Sequence, residues 1–95
     1  MRVNLSVSLK NLRGETILDN GKEIMLNEYV ANMIVNEEAK DNPMQSFELA
    51  GKLYNATGEI EIAESEKEII KRVCTSGRMT ILFAAQILTI INNAK

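Results

Sequence analysis

The chain contains no histidine and no tryptophan, one cysteine, one proline and only four aromatic side chains in 95 residues. Each shortage removes a class of function. Without histidine there is no Ser-His-Asp or Cys-His nucleophile and no His-ligated metal. Cys74, standing alone, can close no disulfide within the chain and gives no sign of an oxidising compartment. With Tyr29, Phe47, Tyr54 and Phe83 as the whole aromatic complement, the core must be built from Ile, Leu, Val, Met and Ala. The longest helix-length apolar stretch, Met79 to Ile91, covers thirteen residues, short of the roughly 20 needed to cross a bilayer. Met1-Arg2-Val3-Asn4-Leu5-Ser6 lacks the apolar core of a signal peptide. A soluble, cytoplasmic protein without a membrane partner is expected.

What is present suits one small domain spanning residues 1–95. Apolar residues make up 45%, enough for a globular core, and a chain this short buries only about two-thirds of its unfolded surface. The net charge of −2 hides an asymmetry. Residues 1–36 are balanced, residues 37–68 carry nine acidic and three basic side chains, and residues 69–95 carry four basic and none acidic. Such a distribution can pair one copy's tail with another's middle, although exposed ion pairs are individually weak. Nucleic acid is a disfavoured partner, because phosphate binding needs a concentrated basic surface.

Val3, Leu5, Val7 and Leu9 alternate with polar residues, the period of a strand with one buried face. Asp19-Asn20-Gly21 between two β-prone runs predicts a type I′ hairpin, so a small antiparallel sheet covers about residues 2–26. Four helices follow, giving an α+β fold. The first covers about residues 28–38, capped by Asn27, with Tyr29, Val30, Met33 and Ile34 inward. The second, about 43–55, starts behind Asp41 or Asn42 and Pro43, and its buried stripe is Phe47, Leu49, Ala50, Leu53 and Tyr54. Gly51 within it weakens a helix by about 1 kcal/mol relative to Ala, which a close helix crossing would explain. Glu59 to Ile62 alternates like a short edge strand. Ser65 and Glu68 form a capping box for the third helix, about 66–76, which buries Ile69, Ile70, Val73 and Cys74 and stops at Gly77. Thr80 caps the last helix, about 80–92.

That last helix is apolar on almost every side, and such a helix must be enclosed by its own chain or by another. In so small a domain the second solution is expected: a homo-oligomer with Met79, Leu82, Phe83, Ile87, Ile90 and Ile91 as interface anchors. A different reading gathers Lys71, Arg72, Thr75, Ser76 and Arg78 into a site for a small anionic metabolite or nucleotide. It is the weaker of the two, for the loop has neither a Gly-rich run nor a Walker lysine.

Other constellations dissolve on inspection. Residues 55–66 resemble a calcium loop around Gly58, but that alignment puts Leu53 where the first carboxylate ligand belongs. Residues 66–91 can be drawn as a helix-turn-helix, yet the second helix offers bases only Gln86 and Thr89. Glu59 and Glu61 fall on the solvent face of a short strand, where carboxylates are hydrated rather than catalytic. No catalytic residue, metal ligand or cofactor is expected.

The order of the remaining motifs is distinctive: Asn4-Leu5, Leu12-Arg13-Gly14-Glu15, Asp19-Asn20-Gly21-Lys22-Glu23-Ile24, Glu48-Leu49-Ala50-Gly51-Lys52-Leu53-Tyr54-Asn55, Glu59-Ile60-Glu61-Ile62, and Thr80 to Leu88. This arrangement resembles small, largely uncharacterised proteins encoded by bacteriophages and prophages. The resemblance covers most of the chain, rests on structural motifs and brings no catalytic residues with it. It implies a phage or mobile-element origin and a place in the host cytoplasm. The function expected from the whole is a non-enzymatic interaction module that self-associates and modulates a host or phage protein. A metabolite-sequestering protein and a virion assembly factor are the alternatives.

Overall fold

The computed structural model describes residues 1–37 and 42–94. Among the described residues it has an α+β architecture of four helices and two small antiparallel sheets. In chain order the elements are β1 (Arg2–Val3), β2 (Leu18–Asp19), β3 (Lys22–Glu23), α1 (Leu26–Val35), α2 (Pro43–Tyr54), β4 (Ile60–Glu61), α3 (Glu64–Cys74) and α4 (Ile81–Asn92). Asn20 and Gly21 both take positive φ, 52° and 79°, which is the type I′ turn that joins β2 to β3 in right-twisted register.

The alternation of the N-terminal segment is realised with less regular sheet than it suggests. Val3, Leu5 and Leu9 are buried, but among the described residues β1 pairs only with β4, Arg2 opposite Glu61 and Val3 opposite Ile60. Further along, Leu9 donates to the Ile24 carbonyl and accepts from the Ile17 amide, so one edge of residues 7–11 serves both arms of the hairpin. The other edge meets α4. There the Gln86 side chain accepts from the Lys10 amide at 3.0 Å and donates to its carbonyl at 2.7 Å, as a neighbouring strand would.

Asn27 does not cap α1, because the helix begins one residue earlier and Asn27 lies inside it, 3% exposed. Its Nδ2 donates to the Leu53 carbonyl at 2.9 Å and to the Tyr54 and Ala56 carbonyls at 3.4 Å. Leu53 and Tyr54 end α2 and Ala56 follows it, a stretch where carbonyls lack the regular partners of a helix interior. The polar residue therefore caps the neighbouring helix and holds α1 and α2 as an antiparallel pair. α1 ends at Val35; the expected end at Glu38 lies outside the described residues, as does Asp41. Asn42 caps α2, accepting from the Gln45 amide at 3.2 Å.

α3 starts two residues before the expected position. Ile62 is drawn into the core and its amide bonds the Met1 carbonyl, so the helix begins directly after Ala63. Glu66, not Glu68, closes back on the first turn, accepting from the Ala63 amide at 2.8 Å. Thr80 sits at the N-cap of α4 but makes no side-chain capping bond. One apolar cluster gathers Val3, Leu5, Leu26, Val30, Leu49, Leu53, Ile70, Val73, Ile87 and Ile91 from every part of the fold. Among the described residues no helix is long and apolar enough to cross a membrane.

Candidate functional site

α4 is covered mainly by its own chain. Ile87 and Ile91 are fully enclosed, and Met79, in the turn before the helix, is buried as well. Leu82, Phe83 and Ile90 are half-buried against the same core. Phe83 lies parallel to Tyr29 of α1 with ring centroids 3.6 Å apart, a pairing that adds about 0.5–1.5 kcal/mol to the area it buries. The six expected anchors therefore find most of their cover within the fold, and a second chain is not needed to enclose Met79, Ile87 or Ile91. The exposed large apolar side chain of α4 is its first residue, Ile81.

The anion constellation is not assembled either. Lys71, Arg72, Thr75 and Ser76 stand at the C-terminal end of α3, the negative end of the helix dipole. Thr75 donates its hydroxyl to the Lys71 carbonyl at 2.9 Å, and Ser76 donates to the Val73 carbonyl at 2.8 Å. Arg72 donates to Glu37 at 2.9 Å. Arg78 is exposed beyond the turn, its amide 3.4 Å from the Ser76 hydroxyl. The hydroxyls already satisfy helix carbonyls, and an anion placed there would face more of them. Among the described residues no three Asp, Glu or Cys side chains cluster as metal ligands would.

The open apolar surface lies elsewhere. Phe47 and Tyr54, assigned by pattern to the buried stripe of α2, are 66% and 50% exposed; Leu49, Ala50 and Leu53 alone are buried. Neighbours cover roughly 100° of a helix, and an apolar arc that includes Phe47 and Tyr54 is wider than that. Met44, 62% exposed, continues the uncovered side. Beside it a groove of about 800 Å³ runs between the end of α1, the first turns of α2 and one face of α3. Ile34 and Ile69 form its floor, while Val35, Met44 and Phe47 stand exposed on its rim.

Polar contacts brace the groove without filling it. Gln45 on α2 donates to the Ser65 hydroxyl on α3 at 2.9 Å, and the Arg72–Glu37 ion pair ties α3 to the residues following α1. Farther along α2, Lys52 pairs with Glu66 at 3.1 Å. Of the earlier site residues only Arg72 borders this groove. Val35, Met44, Phe47 and Tyr54 were missed as surface residues. A signal was nevertheless present: Met44, Phe47, Gly51 and Tyr54 follow one another at spacings of three, four and three residues, a second line on the same helix.

Cys74 is buried among Ile70 and Val73, and burial pushes its thiol up to about 11. A thiol so disposed is a small core side chain, not a nucleophile. No family model, curated protein or solved structure matches the chain.

Proposed function

We propose that this chain is a non-enzymatic protein-interaction module, and that it docks an apolar segment of a partner protein on the outer side of α2 and the adjoining groove. One observation carries this reading: Val35, Met44 and Phe47 crowd together in the open above an apolar floor of Ile34 and Ile69. Single exposed apolar residues are ordinary, whereas a contiguous patch bordered by polar groups is the mark of an interaction surface. The contacts Gln45–Ser65 and Arg72–Glu37 support it further, because they hold three helices in place around the patch and so reduce the ordering that binding would require. The docking face lies on α2, in place of the α4 face that the apolar run suggested. The resemblance to phage-encoded proteins makes a host or phage protein the partner class we propose.

A photoreactive phenylalanine analogue at position 47 tests the reading in the cell that makes the protein. Illumination is expected to give discrete protein adducts from position 47 and none from the same analogue at Lys22, on the exposed hairpin. Equal labelling at the two positions would refute the docking face.

A further inference from the structure

The α2 helix carries a glycine that its own fold does not explain. Gly51 lies in the third turn, is exposed, and does not adopt the positive φ that would require glycine. A Cβ added there would meet no atom within 4 Å. No close crossing inside the chain uses the missing side chain, although glycine weakens a helix. The residues in line with it, Met44, Phe47 and Tyr54, are the exposed apolar side chains of the same helix. The line has the three-and-four spacing of a helix-packing seam, with one large gap in it.

We propose that the occupant of this seam is a second copy of the chain, the two α2 helices packing antiparallel about a two-fold axis. This rests on the docking face proposed above and names what docks there. The seam is self-complementary in that arrangement. Phe47 of one copy falls opposite Gly51 of the other and inserts where a side chain is absent, and Met44 lies beside the second copy's Tyr54. An isologous contact of this kind needs each patch to fit itself, and the spacing 44, 47, 51, 54 reads the same in both directions.

The available area sets the strength. Met44, Phe47 and Tyr54, 62%, 66% and 50% exposed, leave roughly 350 Å² uncovered per copy, given side chains of about 200 Å² each. The pair thus buries roughly 700 Å², and the flanking Glu48, Gly51 and Asn55 bring it toward the lower bound of about 1,200 Å² for specific interfaces. A weak dimer follows, with a dissociation constant in the micromolar range or above. The symmetry also brings the two Glu48 carboxylates to the same flank near the axis. Added salt screens that repulsion and strengthens the pair, whereas an association of acidic middle with basic tail would weaken.

Sedimentation equilibrium from about 10 µM to about 1 mM protein, at low and high salt, tests the inference over the range where such a dimer forms. The mass is expected to rise with concentration from the monomer value of 10.6 kDa toward twice that, more readily at high salt. Gly51→Gln fills the gap and Phe47→Ser removes the side chain that enters it, so both variants are expected to remain monomeric throughout. In dilute solution Gly51→Gln should melt about 2–5 °C higher than the parent, because glutamine is the better helix former. That rise shows that the variant is folded when it fails to associate. A parent chain monomeric at every concentration overturns the inference, as does a Gly51→Gln variant that dimerises like the parent. Crosslinks from position 47 to a foreign protein, with a monomeric parent, would overturn the second copy alone and leave the docking face standing.

Discussion

Replacing Asn27 with aspartate should convert a pH-insensitive clasp between two helices into a pH-sensitive one. The side chain is 3% exposed, and its Nδ2 serves the carbonyls of Leu53, Tyr54 and Ala56. Its Oδ1 has no hydrogen-bond partner among the described residues. In Asn27→Asp an oxygen takes the place of that donor and faces three carbonyl oxygens at the negative end of α2. Burial and the surrounding carbonyls both oppose the charged form, so the folded pKa rises well above the ordinary carboxylate value. The unfolded value stays near 3.9. With the folded pKa raised, stability is intact below about pH 4 and is lost as pH rises toward the folded value, at about 1.4 kcal/mol per pH unit.

Where the folded pKa lies at or above 7, the charge-dependent loss at pH 7 is about 4 kcal/mol, the span from 3.9 to 7 at that slope. Above the folded pKa it levels off. A domain of this size has about 5–14 kcal/mol in all, so the variant is close to unfolding at neutral pH. In acid the protonated carboxyl can still donate one hydrogen bond, which leaves a residual deficit of about 1–2 kcal/mol for the lost second donor hydrogen. Urea unfolding followed by circular dichroism at half-unit steps from pH 4.5 to 7.5, parent against variant, measures the difference. Asn27→Leu is the control, with a deficit that does not change over this range. An Asn27→Asp deficit that is flat with pH, or below about 1 kcal/mol at pH 7.5, would refute the enclosure of Asn27 and its role in closing α2.

Two further expectations bear on α4 and α3. Ile87→Asp should unfold the chain at every concentration instead of merely dissociating it, since Ile87 is fully buried and an unpaired carboxylate there loses several kcal/mol; Ile81→Asp, at a residue 87% exposed, should change stability by no more than about 0.5 kcal/mol. Thermal melts distinguish these outcomes, and an Ile87→Asp melt like the parent's would contradict the core. Cys74 should react with a thiol reagent at pH 8 only when denaturant is added, and because its folded pKa is raised to about 11, its contribution to stability should be complete below the ordinary thiol value and fade as pH rises toward 11. A Cys74→Val variant lacks that alkaline decline; a parent chain labelled rapidly without denaturant would contradict the burial.

Local signals were legible where the chain decides its structure locally. Asn20-Gly21 selects its turn through the φ values that only a few residues tolerate. Asn42-Pro43 opens α2 because a cap and a proline act within one turn. The starts of α1 and α3 were displaced by two residues for a shared reason: core burial outweighed the capping pattern. Leu26 and Asn27 are taken into α1, and Ile62 into the core ahead of α3, because tertiary neighbours enclose them. A buried asparagine resembles a cap in sequence, since the same amide that satisfies its own helix can satisfy another. The partner carbonyls lie 26 to 29 positions away, beyond any pattern read over a single turn.

The proposed docking face was hidden for a different reason. Mean hydropathy measures how much of a helix must be covered and carries no information about which chain covers it. α4 is the most apolar helix, yet β-segment, α1 and α3 residues already surround much of it, with Gln86 bonding Lys10 and Phe83 stacking on Tyr29. α2 is less apolar but has an apolar arc too wide for its neighbours, and the excess is what remains open. The diagnostic quantity is thus the difference between apolar arc and available cover, which depends on the fold. Gly51 is the position where this difference can be checked. A helix under selection only for its own stability would favour alanine there, since the site has room for a Cβ and no backbone need for glycine. If the surface of α2 were merely solvated, Gly51→Gln would raise stability and change nothing else. Loss of association on the same substitution would give the glycine its reason.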